Sequence, residues 1–179
     1  FVKKCIKAGV KKIIYASSSS VYGLSDKKDV TEEHKTLPLT DYSKFKLECE
    51  NILHKYKKEI DWTIIRPSTV CGYSDRQRFD LVVNILTNFA YNKNEIQIFG
   101  GDQLTTNIHI KDMIKSYLTI LNAKRDLINH QVFNVGFENK SLNELAKIVK
   151  KEFDSNLIIK KVKSDDLRSY HVSSEKIVK

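Results

Sequence analysis

No glycine-rich phosphate loop occurs in this chain. Its six glycines, among 179 residues, never take a G-x-x-G-x-x-G spacing. That excludes a self-contained cradle for a dinucleotide pyrophosphate at a helix N-terminus. No stretch of ~18 apolar residues is present, so no membrane-spanning helix is expected. The opening FVKKCIKAGVKK is too charged, and its apolar run too short, for a signal peptide. The three cysteines, Cys5, Cys49 and Cys71, are far apart, and no pair has metal-ligand spacing. They fit reduced thiols of a cytoplasmic protein better than disulfides or zinc. The five histidines form no H-x-x-x-H pair and stand near no carboxylate cluster. No metal is expected.

Two other features bound the partners. An apolar fraction of 41% can build a core, and the length fits one domain with a small appendage. The net charge is +9, mostly from lysine. The lysines are scattered along helices without arginine–aromatic interleaving. They read as a solvated surface with mild positive potential rather than a nucleic-acid face.

Strand and helix patterns alternate along the chain. Helical character in Phe1 to Ala8 stops at Gly9. Without an initiator Met, a start inside a helix is expected of a fragment. Lys12 to Ser17 and Trp62 to Arg66 read as buried parallel strands. A polar loop spans Ser25 to Thr40. Asp41 to Glu59 reads as a helix capped by Asp41, with Phe45, Cys49, Ile52, Leu53 and Tyr56 on one apolar face. A helix is predicted from Phe79 to Tyr91, then strands at Glu95–Phe99 and Asn107–Ile110. Asp112 opens a helix through Leu121. Gln131–Val135 is a strand, Ser141-Leu142-Asn143-Glu144 a capping box, and Leu157–Val162 a last strand. The alternation argues an α/β fold with a mostly parallel sheet.

The chemistry concentrates in two strings. ASSSSVYG (Ala16 to Gly23) is a hydroxyl-rich strand end. Tyr42-Ser43-Lys44-Phe45-Lys46 places a tyrosine and a lysine four apart, on one face of a helix. The Lys46 ammonium would stabilise a tyrosinate, poising Tyr42 as a general base for a sugar hydroxyl. A serine from the strand end could hold that hydroxyl in line.

The order ASSSSVYG, PLTDYSKFKLE, IIRPSTVCG and FGGD…NIHIKD resembles the extended short-chain dehydrogenase/reductase family over nearly the whole chain. Its nucleotide-sugar epimerases and dehydratases are most similar. The resemblance implies the C-terminal part of a Rossmann-like doubly wound parallel sheet plus a small substrate-binding lobe. Residues 1–73 would form the Rossmann-like part, and 74–179 the lobe with the last Rossmann elements. It implies Ser18, Tyr42 and Lys46 as catalytic residues. NAD would be held by Ser17, Tyr42, Lys46 and Pro67. Ser19, Ser20, Thr69 and Arg168 would contact substrate, and Arg66 to Thr69 would line the pocket. His109 would be a packed core histidine, and Phe45 would pack.

Ser19 and Ser20 stand where dehydratases carry an Asp-Glu pair, which favours 4-epimerisation over elimination. A nucleotide-sugar 4-keto reductase or dehydratase of the same family and a non-catalytic Rossmann-like binding module are the alternatives. Thr105 stands where relatives often carry a diphosphate-clamping arginine. Arg168 resembles a second such arginine, and Arg76 and Arg78 lie near the expected substrate mouth. The implied partners are a nucleotide-sugar substrate and a second copy of the full-length protein, with neither nucleic acid nor membrane. As a fragment without the glycine motif, the chain alone is expected to hold NAD weakly and to be inactive.

Overall fold

In the computed structural model, residues 1–24, 29–154, 156–164, 169 and 171–179 are described. Helix α1 (Val2–Lys7) leads into β1 (Lys12–Ala16), and a 3₁₀ turn, Ser19–Tyr22, follows. Helix α2 (Asp41–Lys55), β2 (Asp61–Pro67) and β3 (Thr69–Cys71) come next. They are followed by α3 (Val82–Lys93), β4 (Glu95–Phe99), β5 (Leu104–His109) and α4 (Ile110–Asn122). The short α5 (Arg125–Ile128), β6 (Gln131–Val135), β7 (Glu138–Ser141), α6 (Leu142–Phe153), β8 (Ile158–Val162) and α7 (Glu175–Val178) complete the order. The expected α/β fold is present.

The described strands form three small sheets rather than one. The first, in the order β1-β2-β6, is wholly parallel. The second, β3-β5-β7, pairs β3 parallel and β7 antiparallel to β5. The third pairs β4 with β8 in parallel. Strands β3 and β7 have no counterpart in the sequence reading. Each is short and half-buried, so neither shows a strand-length alternation. The chain crosses from the first sheet to the second at Ser68, the single residue between β2 and β3. Its amide still donates to Val135 O at 2.8 Å.

Gly136 lies against this crossing. A Cβ there would stand 2.4 Å from Ser68 Oγ and 2.6 Å from Thr106 Cγ2, so only glycine lets the two sheets approach. Gly23 closes the serine turn at φ 69°, and a Cβ would collide with Leu37 O at 2.0 Å.

Apolar residues gather where the periods place them. Ile96 and Ile98 of β4 alternate inward, against Leu86 and Ala90 of α3 and Leu145, Ala146 and Val149 of α6. Ile65, Phe133 and Val135 of the first sheet pack with Ile108, Met113 and Ile120. Helix α6 starts at the expected capping box: Ser141 Oγ accepts from Glu144 N at 3.2 Å, and the Glu144 carboxylate accepts from Ser141 N at 2.8 Å. Ser141→Ala is expected to cost about 1 kcal/mol of stability, read from a urea melt.

Helix α2 departs from expectation. Thr40, not Asp41, is its cap: Thr40 Oγ1 accepts from Ser43 N, and Ser43 Oγ accepts from Thr40 N. The inward face carries Ser43, Glu50 and Leu53, whereas Phe45 (66% exposed), Cys49 and Ile52 face outward. Phe45 is therefore mostly exposed rather than packed among the described residues. His109 is also exposed rather than in the core, and its Nδ1 caps α4 by accepting from Lys111 N at 3.2 Å.

Below the first sheet, His54 meets Trp62 edge to face, with ring centroids 4.4 Å apart. Partial desolvation beside Trp62 pushes its imidazole, on an otherwise exposed side chain, below the ordinary value of 6.5. The unfolded chain therefore takes up this proton first on acidification. The stabilisation is complete above the ordinary value and is lost as pH falls below it. The urea midpoint is expected to drop between about pH 7.5 and pH 5.5, and His54→Phe to flatten that slope. Identical slopes would contradict the assignment.

Candidate active site

The serine string leaves β1 at the carboxyl end of the parallel sheet, beside the carboxyl ends of β2 and β6. Ligands of open α/β sheets bind in this region. Ser18 caps the 3₁₀ turn: its Oγ accepts from Ser20 N at 3.2 Å and shares a 2.8 Å hydrogen bond with Ser20 Oγ. Tyr42 stands in the first turn of α2, 59% exposed. Both border a cavity of about 600 Å³. Ser19, Ser20, Thr40 and Ser43 share its wall, with Pro67, Ser68, Thr69, Thr105 and Thr106 from the two sheets. Leu39, Val70 and Leu81 supply apolar surface, and Arg78 is the one charged side chain among the described lining residues.

Most expected residues therefore converge: Ser18, Ser19, Ser20, Tyr42, Pro67 and Thr69 line one space. Lys46 stands behind it. Its ammonium donates to Ala16 O at 2.7 Å and lies 5.6 Å from the Tyr42 ring centroid, within cation–π range. Ser17 is not in the wall. It is buried, and its hydroxyl donates to the Glu50 carboxylate. Arg66 also turns away from the cavity and into the protein. Arg168 lies outside the described residues. Arg76 borders a smaller neighbouring cavity of about 150 Å³, which shares Val70, Arg78 and Leu81 with the first.

A buried polar network behind the cavity has no counterpart in the sequence reading. Arg66 grips Glu50 with two hydrogen bonds, Nε to Oε1 at 3.0 Å and Nη2 to Oε2 at 2.7 Å. Its Nη1 donates to Tyr22 OH at 2.7 Å, and Tyr22 OH donates to Asn134 Oδ1 at 2.7 Å. Asn134 N donates to Glu32 Oε1 at 2.7 Å. Burial opposes the Arg66 charge, but Glu50 and the Tyr22 oxygen more than offset it and hold the guanidinium protonated. Burial pushes the Tyr22 phenol up, against the opposing pull of Arg66. Glu50 follows Lys46 by one helical turn, which gives it a clear face but no sign in the sequence of a buried partner.

Residues 2–136 match the NAD dependent epimerase/dehydratase family. The chain belongs to that family. Among relatives of this family member is the putative UDP-glucose 4-epimerase of Methanocaldococcus jannaschii, 31% identical, matched over 82% of this chain and 48% of that protein. Another is the N-acetyl-alpha-D-glucosaminyl-diphospho-ditrans,octacis-undecaprenol 4-epimerase of Escherichia coli O157:H7, 40% identical over 84% of this chain and 45% of the relative. UDP-glucuronic acid 4-epimerase from Bacillus cereus, solved with UDP-glucuronic acid and NAD, superposes with a TM-score of 0.85 at 27% identity. That match covers 98% of this chain and 57% of the solved chain. The chain thus spans about half the length of the relatives it matches.

NAD is the family's cofactor, and the cavity fits its nicotinamide end. Ser68 Oγ, in the cavity wall, is buried without a hydrogen-bond partner. An orphaned buried hydroxyl is costly unless a ligand satisfies it. Pro67 offers flat apolar surface beside it. No helix among the described residues is long and apolar enough to cross a membrane.

Proposed function

We propose that the full-length protein carrying this chain epimerises a nucleotide sugar at carbon 4, through a transient 4-keto sugar. The observation that carries this reading is the cavity wall itself: Tyr42 and Ser18 border one space rich in hydroxyls, with no carboxylate among its described lining residues. NAD, when bound, supplies the hydride acceptor and donor. Tyr42 takes the proton from the sugar 4-hydroxyl and later returns it. Ser18, whose Oγ is already oriented by the turn, holds that hydroxyl in line. Lys46, behind Tyr42, sets a positive charge 5.6 Å from the centre of the ring that moves the proton. Thr69, Ser19 and Ser20 offer further hydrogen bonds to the sugar. Elimination of water needs an acid beside the sugar, and the described residues of the wall, Ser19 and Ser20 among them, supply hydroxyls rather than a carboxylate.

The test incubates the full-length protein with UDP-, GDP-, dTDP- and CDP-sugars. The expected result is a 4-epimer with no net change at 340 nm. Stoichiometric consumption of NADH or NADPH would overturn the reading in favour of a 4-keto reductase.

The outward strip of Phe45, Cys49 and Ile52 on α2 supports a homodimer packed through that helix. Light scattering of the full-length protein is expected to give a dimer, and Phe45→Glu a monomer. A wild-type monomer would remove the proposal.

A further inference from the structure

Among the described ion pairs, Glu50–Arg66 alone has both side chains buried, at 1% and 7% exposure. Such a pair is a weak source of stability, because desolvation offsets most of the attraction. Its connections suggest a different role. Glu50 accepts the hydroxyl of Ser17, the residue just before Ser18. Arg66 donates to the phenol of Tyr22, the last residue of the 3₁₀ turn that Ser18 caps. One ion pair therefore holds both flanks of the serine turn. With Ser17 and Tyr22 committed inward, Ser18, Ser19 and Ser20 are left to face the cavity.

The same pair is rooted in the helix that carries the base. Glu50 follows Lys46 by four residues and Tyr42 by eight, about 6 Å and 12 Å along the axis. Helix α2 is thus stapled to the end of β1 at two levels, Lys46 to Ala16 O and Glu50 to Ser17 Oγ. We propose that Glu50 and Arg66 are positioning residues that fix the Ser18 hydroxyl relative to the Tyr42 phenol. A displacement of about 1 Å between reacting groups can cost a hundredfold in rate, so a rigid link between turn and helix serves the chemistry more than the fold. Neither residue touches the cavity.

The kinetic part of the test rests on the epimerase reading. Ser17→Ala and Tyr22→Phe each cut one arm of the clamp while leaving the ion pair in place. In the full-length protein, each is expected to lower kcat by about tenfold or more with KM within about twofold. A merely structural role would lower the melting temperature and leave kcat per folded molecule unchanged, and that result overturns the proposal. So does a rise in KM at constant kcat.

Hydrogen exchange separates this inference from the activity it rests on. Ser17→Ala is expected to speed exchange at the amides of Ser20, Val21 and Gly23, and to leave α6 unchanged. If wild type turns over no sugar, the epimerase reading fails, and the exchange arm still decides. Faster exchange confined to the turn upholds the positioning role, and unaltered exchange overturns it.

Discussion

Tyr42→Phe is expected to lower turnover of the full-length protein by about 10²–10⁴-fold and to leave its melting temperature nearly unchanged. The substitution removes one oxygen. The ring keeps its place in the first turn of α2, which is held by the Thr40–Ser43 capping box rather than by Tyr42. The side chain is 59% exposed, so little packing is at risk. What disappears is the group proposed to take and return the sugar proton. Substrate affinity is expected to hold within a few-fold, because the cavity's other hydroxyls remain. Turnover measured beside a thermal melt checks both halves. An active Phe variant would remove Tyr42 from the reaction.

The second large effect is on stability. Arg66→Met is expected to cost about 3–5 kcal/mol, because it strands the Glu50 carboxylate inside the protein. Glu50 would keep only the Ser17 hydroxyl among the partners described, and Tyr22 OH would lose its donor. Against a total stability of about 5–15 kcal/mol for an ordinary domain, that loss is severe. Replacing both charges, as Glu50→Gln with Arg66→Met, is expected to recover part of it, since no unpaired charge is then buried. Urea melts of the single and double variants measure the difference. A single variant as stable as wild type would mean that water reaches Glu50.

Local patterns carried the fold and half of the site. The strand Glu95–Phe99 is readable because Ile96 and Ile98 alternate inward, and α6 because Ser141 and Glu144 are spaced as a capping box. The serine turn and the Tyr42 helix are legible as hydroxyls and charges at fixed spacing. Failures occur where a residue's environment comes from distant chain. On α2, Phe45, Cys49 and Ile52 form an apolar stripe that reads as a core face, yet the helix buries Glu50 instead. The reason is Arg66, sixteen residues away on β2, which neutralises that carboxylate. His109 fails similarly: its place inside the expected strand Asn107–Ile110 suggests core, while it is the last residue of β5 and emerges to cap α4. Strands β3 and β7 are three and four residues long and are defined by pairing with β5, not by their own composition.

The most direct measurement of the central claim follows a label. The full-length protein would receive a nucleotide sugar deuterated at carbon 4, from the class that the panel identifies as substrate, and the epimer would be read by NMR. If Tyr42 moves only the hydroxyl proton while the hydride leaves and returns within one closed site, the epimer keeps its deuterium at carbon 4. An epimer carrying solvent hydrogen at that carbon would contradict the account.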